Sequence, residues 1–264
     1  MTQQSETILD RIVADKRDEL AAALERVPLA EMRRQAEAAP APRGFAKALQ
    51  GPKIGLIAEA KKASPSRGIL RADFDPVWLA GRYAEGGAAA ISVLTDEKHF
   101  QGSLDYMQAV REALPEGPPV LRKDFTIDPY HLYEARANGA DAVLLIAAIL
   151  EDSLLRDLMA EAAALGLDAL IEVHDEREMA RAPVANAPLI GITNRDLRTF
   201  NVDLATTERL RPLAPPDATI VAESGIFTRE DMVRLERAGV DAVLIGESIV
   251  TAPDPADKIR ELLG

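Results

Sequence analysis

The chain has 264 residues, 47% of them hydrophobic and 28% charged, enough apolar material for a core within an ordinary globular balance. Its 31 Lys and Arg against 43 Asp and Glu give a formal net charge of −12, which argues against a nucleic-acid partner, since a polyanion needs a basic face. With no Cys, disulfides and thiolate metal sites are excluded.

The opening segment MTQQSETILDRIVADKRDEL is polar and acidic, with no apolar h-region, so no signal peptide is expected. Residues 6–26 read as an amphipathic helix, with Ile8, Ile12, Leu20 and Leu24 at helical spacing. Pro28 ends it, Leu29–Ala38 form a second helix, Ala39-Pro40-Ala41-Pro42 is a linker, and Phe45–Leu49 is a short helix. No strand signal precedes residue 53.

From Lys53 onward short apolar runs alternate with amphipathic segments. The runs are Ile54–Ala58, Ala88–Leu94, Pro119–Arg122, Asp141–Ala147, Ala169–Val173, Leu189–Ile192, Ala218–Ala222 and Asp241–Ile245. Each is apolar without alternation, as expected of parallel strands buried on both faces. Helical patterns lie between them over Pro76–Glu85, Leu104–Leu114, Pro129–Asn138, Glu151–Leu165, Glu176–Arg181, Leu204–Leu213 and Arg229–Ala238, with Pro255–Leu263 last. Asp203 and the Asp-rich C-terminal segment read as helix caps and solvated surface. The most apolar stretch, Ala140–Leu150, is interrupted by Asp141 and is too short for a bilayer, which takes roughly 20 apolar residues. A soluble, cytoplasmic protein with no membrane partner is expected.

A weak internal repeat supports this parsing. Glu85-Gly-Gly-Ala-Ala-Ala-Ile, Asn138-Gly-Ala-Asp-Ala-Val-Leu and Ala238-Gly-Val-Asp-Ala-Val-Leu each read as a helix C-cap glycine running into a buried strand. Eight β-then-α units predict an α/β fold of the (β/α)8 TIM-barrel kind with an N-terminal helical extension, which takes roughly 250 residues. The expected organisation is one domain over 1–264, with 1–50 the extension and 53–264 the barrel. A doubly wound open sheet is the alternative, but it calls for a glycine-rich fingerprint after the first strand. That place holds Glu59-Ala-Lys-Lys-Ala-Ser.

In such a barrel function gathers where the strands end. Glu59 and Lys61 follow the first run, Lys123 ends the third, Glu172 the fifth, Thr193-Asn-Arg195 the sixth, and Glu223-Ser224 the seventh. Strand side chains alternate, so Glu59 and Lys61 share a face, as do Leu121, Lys123 and Phe125. A structural ring of ion pairs would account for the same residues. Gly225 and Gly246 end the seventh and eighth strands, where barrels often bind phosphate, although each also reads as a plain turn glycine. Lys61 and Arg195 are placed to complete an anion site. Leu144 and Ile146 lie on one face of the fourth strand, with Phe100 and Phe125 flanking, as walls for a flat apolar group or as ordinary core. His99, His131 and His174 show no paired ligand spacing, so no metal is expected, and no P-loop or GxGxxG suggests a nucleotide or flavin cofactor.

These segments resemble the indole-3-glycerol phosphate synthase family of tryptophan biosynthesis. The resemblance is carried by Ile57-Ala-Glu-Ala-Lys-Lys-Ala-Ser-Pro-Ser, Ser92-Val-Leu-Thr-Asp-Glu-Lys-His-Phe-Gln-Gly-Ser and Leu121-Arg-Lys-Asp-Phe. It continues through Leu170-Ile-Glu-Val-His, Gly191-Ile-Thr-Asn-Arg-Asp-Leu, Val221-Ala-Glu-Ser-Gly-Ile and Leu244-Ile-Gly-Glu-Ser. The N-terminal Ile8-Leu-Asp-Arg-Ile-Val-Ala-Asp-Lys-Arg-Asp-Glu is similar to that family's extension. Family members convert 1-(2-carboxyphenylamino)-1-deoxyribulose 5-phosphate to indole glycerol phosphate, CO2 and water. The resemblance therefore implies a lyase with a small anionic phosphosugar substrate and no cofactor. A monomer is compatible with it, and so is association with other enzymes of the pathway.

The same resemblance implies roles. Lys123 is the general acid of ring closure. Glu172 acts in dehydration with Lys61 as partner, and which of the two protonates the hydroxyl stays open. Glu59 and Glu223 fix polar groups and tune the lysines. Ser64, Thr193, Arg195 and Ser224 contact substrate. Lys61, Gly225, Gly246 and Glu247 form the phosphate site, and Phe100, Phe125, Leu144, Ile146 and Leu197 wall the aromatic ring. There are departures: Thr193 stands where the family usually has Asn, Ala60 where bulkier residues are common, and Glu247 must offer its N–H while its carboxylate points away. A Schiff-base aldolase using Lys123 or Lys61 and a non-catalytic phosphosugar-binding barrel are the rivals. A neighbouring isomerase of the pathway needs a Cys base that this chain lacks.

Overall fold

Eight parallel strands close into a barrel in the computed structural model, which describes residues 7–184, 187–196 and 201–264. They are β1 (Gly55–Ala60), β2 (Ala90–Leu94), β3 (Val120–Lys123), β4 (Ala142–Ile146), β5 (Asp168–Val173), β6 (Leu189–Thr193), β7 (Thr219–Glu223) and β8 (Ala242–Ile245). Each pairs with its chain neighbours, and β8 closes on β1 with Gly55 opposite Ala242 and Ala58 opposite Ile245. Three helices precede the barrel: α1 (Ile8–Arg26), α2 (Leu29–Ala38) and α3 (Phe45–Ala48). The rest follow as α4 (Pro76–Gly86), α5 (Glu97–Phe100), α6 (Leu104–Ala113), α7 (Pro129–Ala137) and α8 (Asp152–Ala164). The chain then continues through α9 (Glu176–Val184), α10 (Ala205–Leu210), α11 (Arg229–Arg237), α12 (Glu247–Val250) and α13 (Pro255–Leu263). No helix among the described residues is long and apolar enough to cross a membrane.

The two-residue period of the strands sorts their side chains into two layers. Ile57, Leu121, Leu144, Leu170, Val221 and Leu244 fill the barrel interior. Their neighbours Leu56, Val120, Val143, Ile171, Ile220 and Val243 face the helices. Local chemistry sets the helix ends. Asp75, Asp128 and Asp254 each cap a helix whose first residue is Pro, accepting hydrogen bonds from N–H groups that would otherwise be orphaned. Gly87, Gly139 and Gly239 turn the chain at φ of 95°, 83° and 79°, then feed β2, β4 and β8, the repeat seen in the sequence.

The helices ahead of the barrel occupy both of its ends. Phe45 and Leu49 plug the end where the strands start, joining the interior cluster, while Asp168 Oδ2 accepts the Ala46 N–H at 2.8 Å. Arg43 pairs with Asp141 at 2.7 Å beside them. At the opposite end α1 crosses the mouth. Lys16, only 4% exposed, sits 3.1 Å from Asp96 and 3.0 Å from Asp124. Helix α2 packs on α7, where the Tyr130 hydroxyl reaches the Val27 carbonyl at 3.1 Å.

The strands fall where the apolar runs predict, but four run further. β1 continues to Ala60, β3 to Lys123, β6 to Thr193 and β7 to Glu223, so Glu59, Lys123 and Glu223 are strand residues and not the first residues of loops. A charged side chain inside a buried strand end looks like a loop when apolarity is the only guide. The four-residue helices α5 and α12, and a ribbon pairing Ala63–Ser64 with Gly68–Ile69, are too short to leave a periodic signal.

Candidate active site

Alternation puts Ile57, Glu59 and Lys61 in one inward column, apolar at the base and charged at the mouth. Leu121–Lys123–Phe125, Leu170–Glu172 and Val221–Glu223 repeat that arrangement. One cavity of about 510 Å³ gathers them at the C-terminal ends of the strands. Lys123 Nζ lies 3.4 Å from Glu172 Oε2 and 3.4 Å from Glu223 Oε2, and Lys61 Nζ lies 2.7 Å from Glu59 Oε1. Two glycines make room for these carboxylates. A Cβ on Gly191 would stand 2.2 Å from Glu223 Oε1, and one on Gly246 would stand 2.5 Å from Glu59 Oε1 and 3.1 Å from Lys61 Nζ.

Three buried carboxylates face two ammonium groups, and the balance sets their protonation. Burial works against the charge of Lys123, but Glu223, Glu172 and Glu59 outweigh it and hold the ammonium well above its ordinary range. Burial likewise opposes ionisation of Glu59, yet Lys61 and Lys123, with help from Arg195, keep it below the usual value. Glu223 goes the other way. Burial, reinforced by Glu172 and Glu59 and opposed by Lys123, pushes it up to about 8. Its Oε1 is buried and has no hydrogen-bond partner among the described residues.

The remaining candidates line the same cavity. Phe100 and Phe125 form one wall with ring centres 6.2 Å apart and planes tilted by 38°, next to Leu144 and Ile146. Ser64, Thr193, Arg195 and Ser224 stand around the rim, and the Thr193 hydroxyl accepts the Arg195 N–H at 3.4 Å. Leu197 lies outside the described residues. Gly225 has φ of 80° and follows Ser224 at φ of 69°, a left-handed pair that turns the chain sharply after β7. Gly246 leads into α12, and Ser248 Oγ donates to the Ile226 carbonyl at 2.9 Å, tying the turns after β7 and β8 together. The Glu247 carboxylate is taken up by Arg67, 2.9 Å away across the mouth.

Several lining residues were missed from the sequence. Ile8, Leu9 and Ile12 of α1 roof the cavity, and Phe227 edges it. The apolar stripe of α1 was visible, but a stripe does not say what it covers. Arg67, close behind Ser64-Pro-Ser, also lines the cavity, and nothing in the residue pattern pairs it with the distant Glu247. Where no metal-ligand spacing was read, His174, Asp175 and Glu178 do bring one ligand atom each within 4.8 Å of one another. Glu178 Oε2 is already engaged there, accepting the His174 N–H at 2.8 Å and meeting its Nδ1 at 2.7 Å, so this trio reads as the cap of α9.

Comparison with known proteins gives the family of the chain. The profile of a family described as indole-3-glycerol phosphate synthase matches residues 9–262. A protein of that name from Dehalococcoides mccartyi (strain CBDB1) is 52% identical over 258 residues, covering 97% of this chain and all of the relative. Another from Roseiflexus sp. (strain RS-1) is 51% identical over 266 residues, covering 98% and 99%. Among solved structures, 3-hexulose-6-phosphate synthase from Salmonella typhimurium superposes with a TM-score of 0.65 at 15% identity, over 79% of this chain and 96% of that one. A likeness that remote shows the barrel fold alone.

Proposed function

Because the chain belongs to the indole-3-glycerol phosphate synthase family, we propose that the cavity at its barrel mouth closes the indole ring, with Lys123 as the acid. The chain is a carboxy-lyase of tryptophan biosynthesis, acting on a phosphorylated small molecule. Membership in the family sets aside the Schiff-base aldolase and the non-catalytic barrel. One observation carries the assignment of roles: the Nζ of Lys123 stands between two carboxylates, Glu172 and Glu223, in a cavity with aromatic walls on one side and a left-handed glycine turn on the other.

In this reading Phe100, Phe125, Leu144 and Ile146 hold the aromatic ring by excluding water from its faces. The turn at Ser224–Gly225, with Gly246, the N–H of Glu247 and Lys61, holds the phosphate. Ser64, Thr193 and Arg195 orient the sugar and carboxylate ends. The ring carbon bearing the carboxylate attacks the ketone carbon, and Lys123 gives its proton to the ketone oxygen as the new bond forms. The bond to the carboxylate then breaks, CO2 leaves, and the electron pair restores the aromatic ring. Dehydration follows: one group protonates the departing hydroxyl and a second accepts the proton whose loss completes the indole. Glu172 and Lys61 face each other across this region as that pair, with Glu59 and Glu223 holding the two lysines. Every electron stays within the substrate, so the sequence of steps needs no cofactor.

In this reading a monomer suffices for activity, and the whole chain is one functional unit. The direct test is the rise of indole fluorescence when the purified protein meets the carboxyphenylamino deoxyribulose phosphate. A folded protein that gives no signal contradicts the reading.

A further inference from the structure

Asn194 follows β6, is 2% exposed, and is not among the residues lining the cavity. Its carboxamide nevertheless joins two elements of the mouth. Oδ1 accepts the Thr207 N–H at 3.1 Å and the Thr207 hydroxyl at 2.7 Å, and Nδ2 donates to the Ser224 carbonyl at 3.1 Å. A backbone N–H can only donate, so Thr207 fixes the amide orientation, with oxygen toward α10 and nitrogen toward Ser224. The main chain adds to the clamp. The Asn194 N–H donates to the Glu223 carbonyl at 2.8 Å, and the Asn194 carbonyl accepts the Asp203 N–H at 3.0 Å.

The residue held this way is strained. Ser224 has φ of 69°, a left-handed conformation that a residue with a side chain keeps only where its surroundings over-determine it. Gly225 follows at φ of 80°, where a Cβ would stand 2.4 Å from Val202 Cγ1. The Ser224 carbonyl and the Gly225 N–H belong to one planar trans peptide, so they point in opposite directions. Pinning the carbonyl back onto Asn194 therefore aims the N–H away from Asn194. Ser224 and Gly225 line the cavity and Asn194 does not.

We infer that Asn194 is a positioning residue: buried outside the cavity and held by Thr207, it sets the Ser224–Gly225 peptide so that the Gly225 N–H meets the substrate phosphate. The inference rests on the reading of this turn as the phosphate site. Asn194 touches no substrate atom, and its effect belongs to phosphate binding and not to the chemical steps.

The test uses the full-length protein and inorganic phosphate as a competitive inhibitor, alongside KM and kcat for the substrate. Asn194→Ala and Asn194→Asp each remove the donor to Ser224, and the second keeps the acceptor for Thr207. Both are expected to raise KM and the phosphate inhibition constant together by about tenfold, the effect of one buried hydrogen bond. kcat is expected to change far less. Thr207→Val, which deletes one support of the amide, should shift both constants the same way by a smaller factor. Gly225→Ala is the control for the phosphate site itself. If Gly225→Ala weakens phosphate inhibition while the Asn194 variants keep it at the original value, the inference is overturned and the phosphate site stands. If Gly225→Ala also leaves inhibition unchanged, the turn does not bind phosphate and the inference falls with that reading. A rise confined to Asn194→Asp reports a new carboxylate near an anion and likewise overturns it. Should Asn194→Ala fail to fold, unchanged phosphate inhibition in Thr207→Val decides against the clamp.

Discussion

At the scale of single residues the site is a problem in charge balance. Glu59, Glu172 and Glu223 share two ammonium groups in a buried mouth, and Glu223, whose Oε1 is buried without a hydrogen-bond partner among the described residues, is pushed up to about 8 by burial and by its two neighbouring carboxylates. The folded protein then binds more protons at this residue than the unfolded chain does between 4.5, its ordinary value, and about 8. Stability from this group is therefore complete below its ordinary value and drains away as pH rises toward the folded one. Glu223→Gln, neutral at every pH, should match the parent protein in urea unfolding near pH 5. Near pH 9 it should exceed the parent by an amount on the order of a few kcal/mol. A difference that does not change with pH would mean that Glu223 is ionised throughout. The same balance keeps Lys123 protonated across the neutral range, as a proton donor must be.

At the scale of elements, the barrel has a structural end and a chemical end. Phe45 of α3 fills the end where the strands start. Phe45→Ala should cost about 3–5 kcal/mol of stability, as large-to-small core changes do, and leave KM and kcat near their original values at temperatures where the protein stays folded. Thermal unfolding beside steady-state kinetics checks both halves. Helix α1 at the mouth behaves differently, because Lys16 pins both Asp96, at 3.1 Å, and Asp124, at 3.0 Å; Asp124 also meets Arg122 at 3.1 Å, the Thr95 hydroxyl at 2.5 Å and the Phe125 N–H at 2.8 Å. Lys16→Met strands Asp96 as a buried charge and leaves Asp124 to Arg122 alone, a loss of about 3–5 kcal/mol, and should raise KM as the roof loosens. Asp96→Asn added to it should restore part of the lost melting temperature; no recovery would show that the stranded Asp96 carboxylate is not the source of the loss. Much of this arrangement was legible beforehand. The eight apolar runs located the strands, and Glu59, Lys123 and Glu223 stood out because polar residues at the ends of apolar runs need a reason. What stayed hidden was long-range. The stripe of Ile8 and Ile12 marks a helix face without naming the surface it meets, Arg67 and Glu247 lie far apart in the chain, and the Asn194 clamp depends on backbone geometry that no residue pattern encodes.

At the scale of the whole molecule, alternation along eight strands turns an ordinary parallel barrel into an enzyme. The residues that fill its lower interior are apolar, and the next inward positions up the same strands are Glu59, Lys123, Glu172 and Glu223. An acidic chain thus brings the ammonium groups of Lys61 and Lys123 and the Arg195 guanidinium into its own mouth, where a phosphorylated substrate can meet them. The proposed mechanism divides the labour between two residues of this mouth, with Lys123 in ring closure and Glu172 in the later dehydration. Single-turnover quench analysis of Lys123→Met and Glu172→Gln side by side tests it. Lys123→Met, slowed by about 10²–10⁴-fold, is expected to leave the open-chain substrate intact. Glu172→Gln should accumulate a ring-closed, decarboxylated species that still carries its hydroxyl. Open-chain substrate stalled on Glu172→Gln, or more than half of the original activity in Lys123→Met, would contradict it.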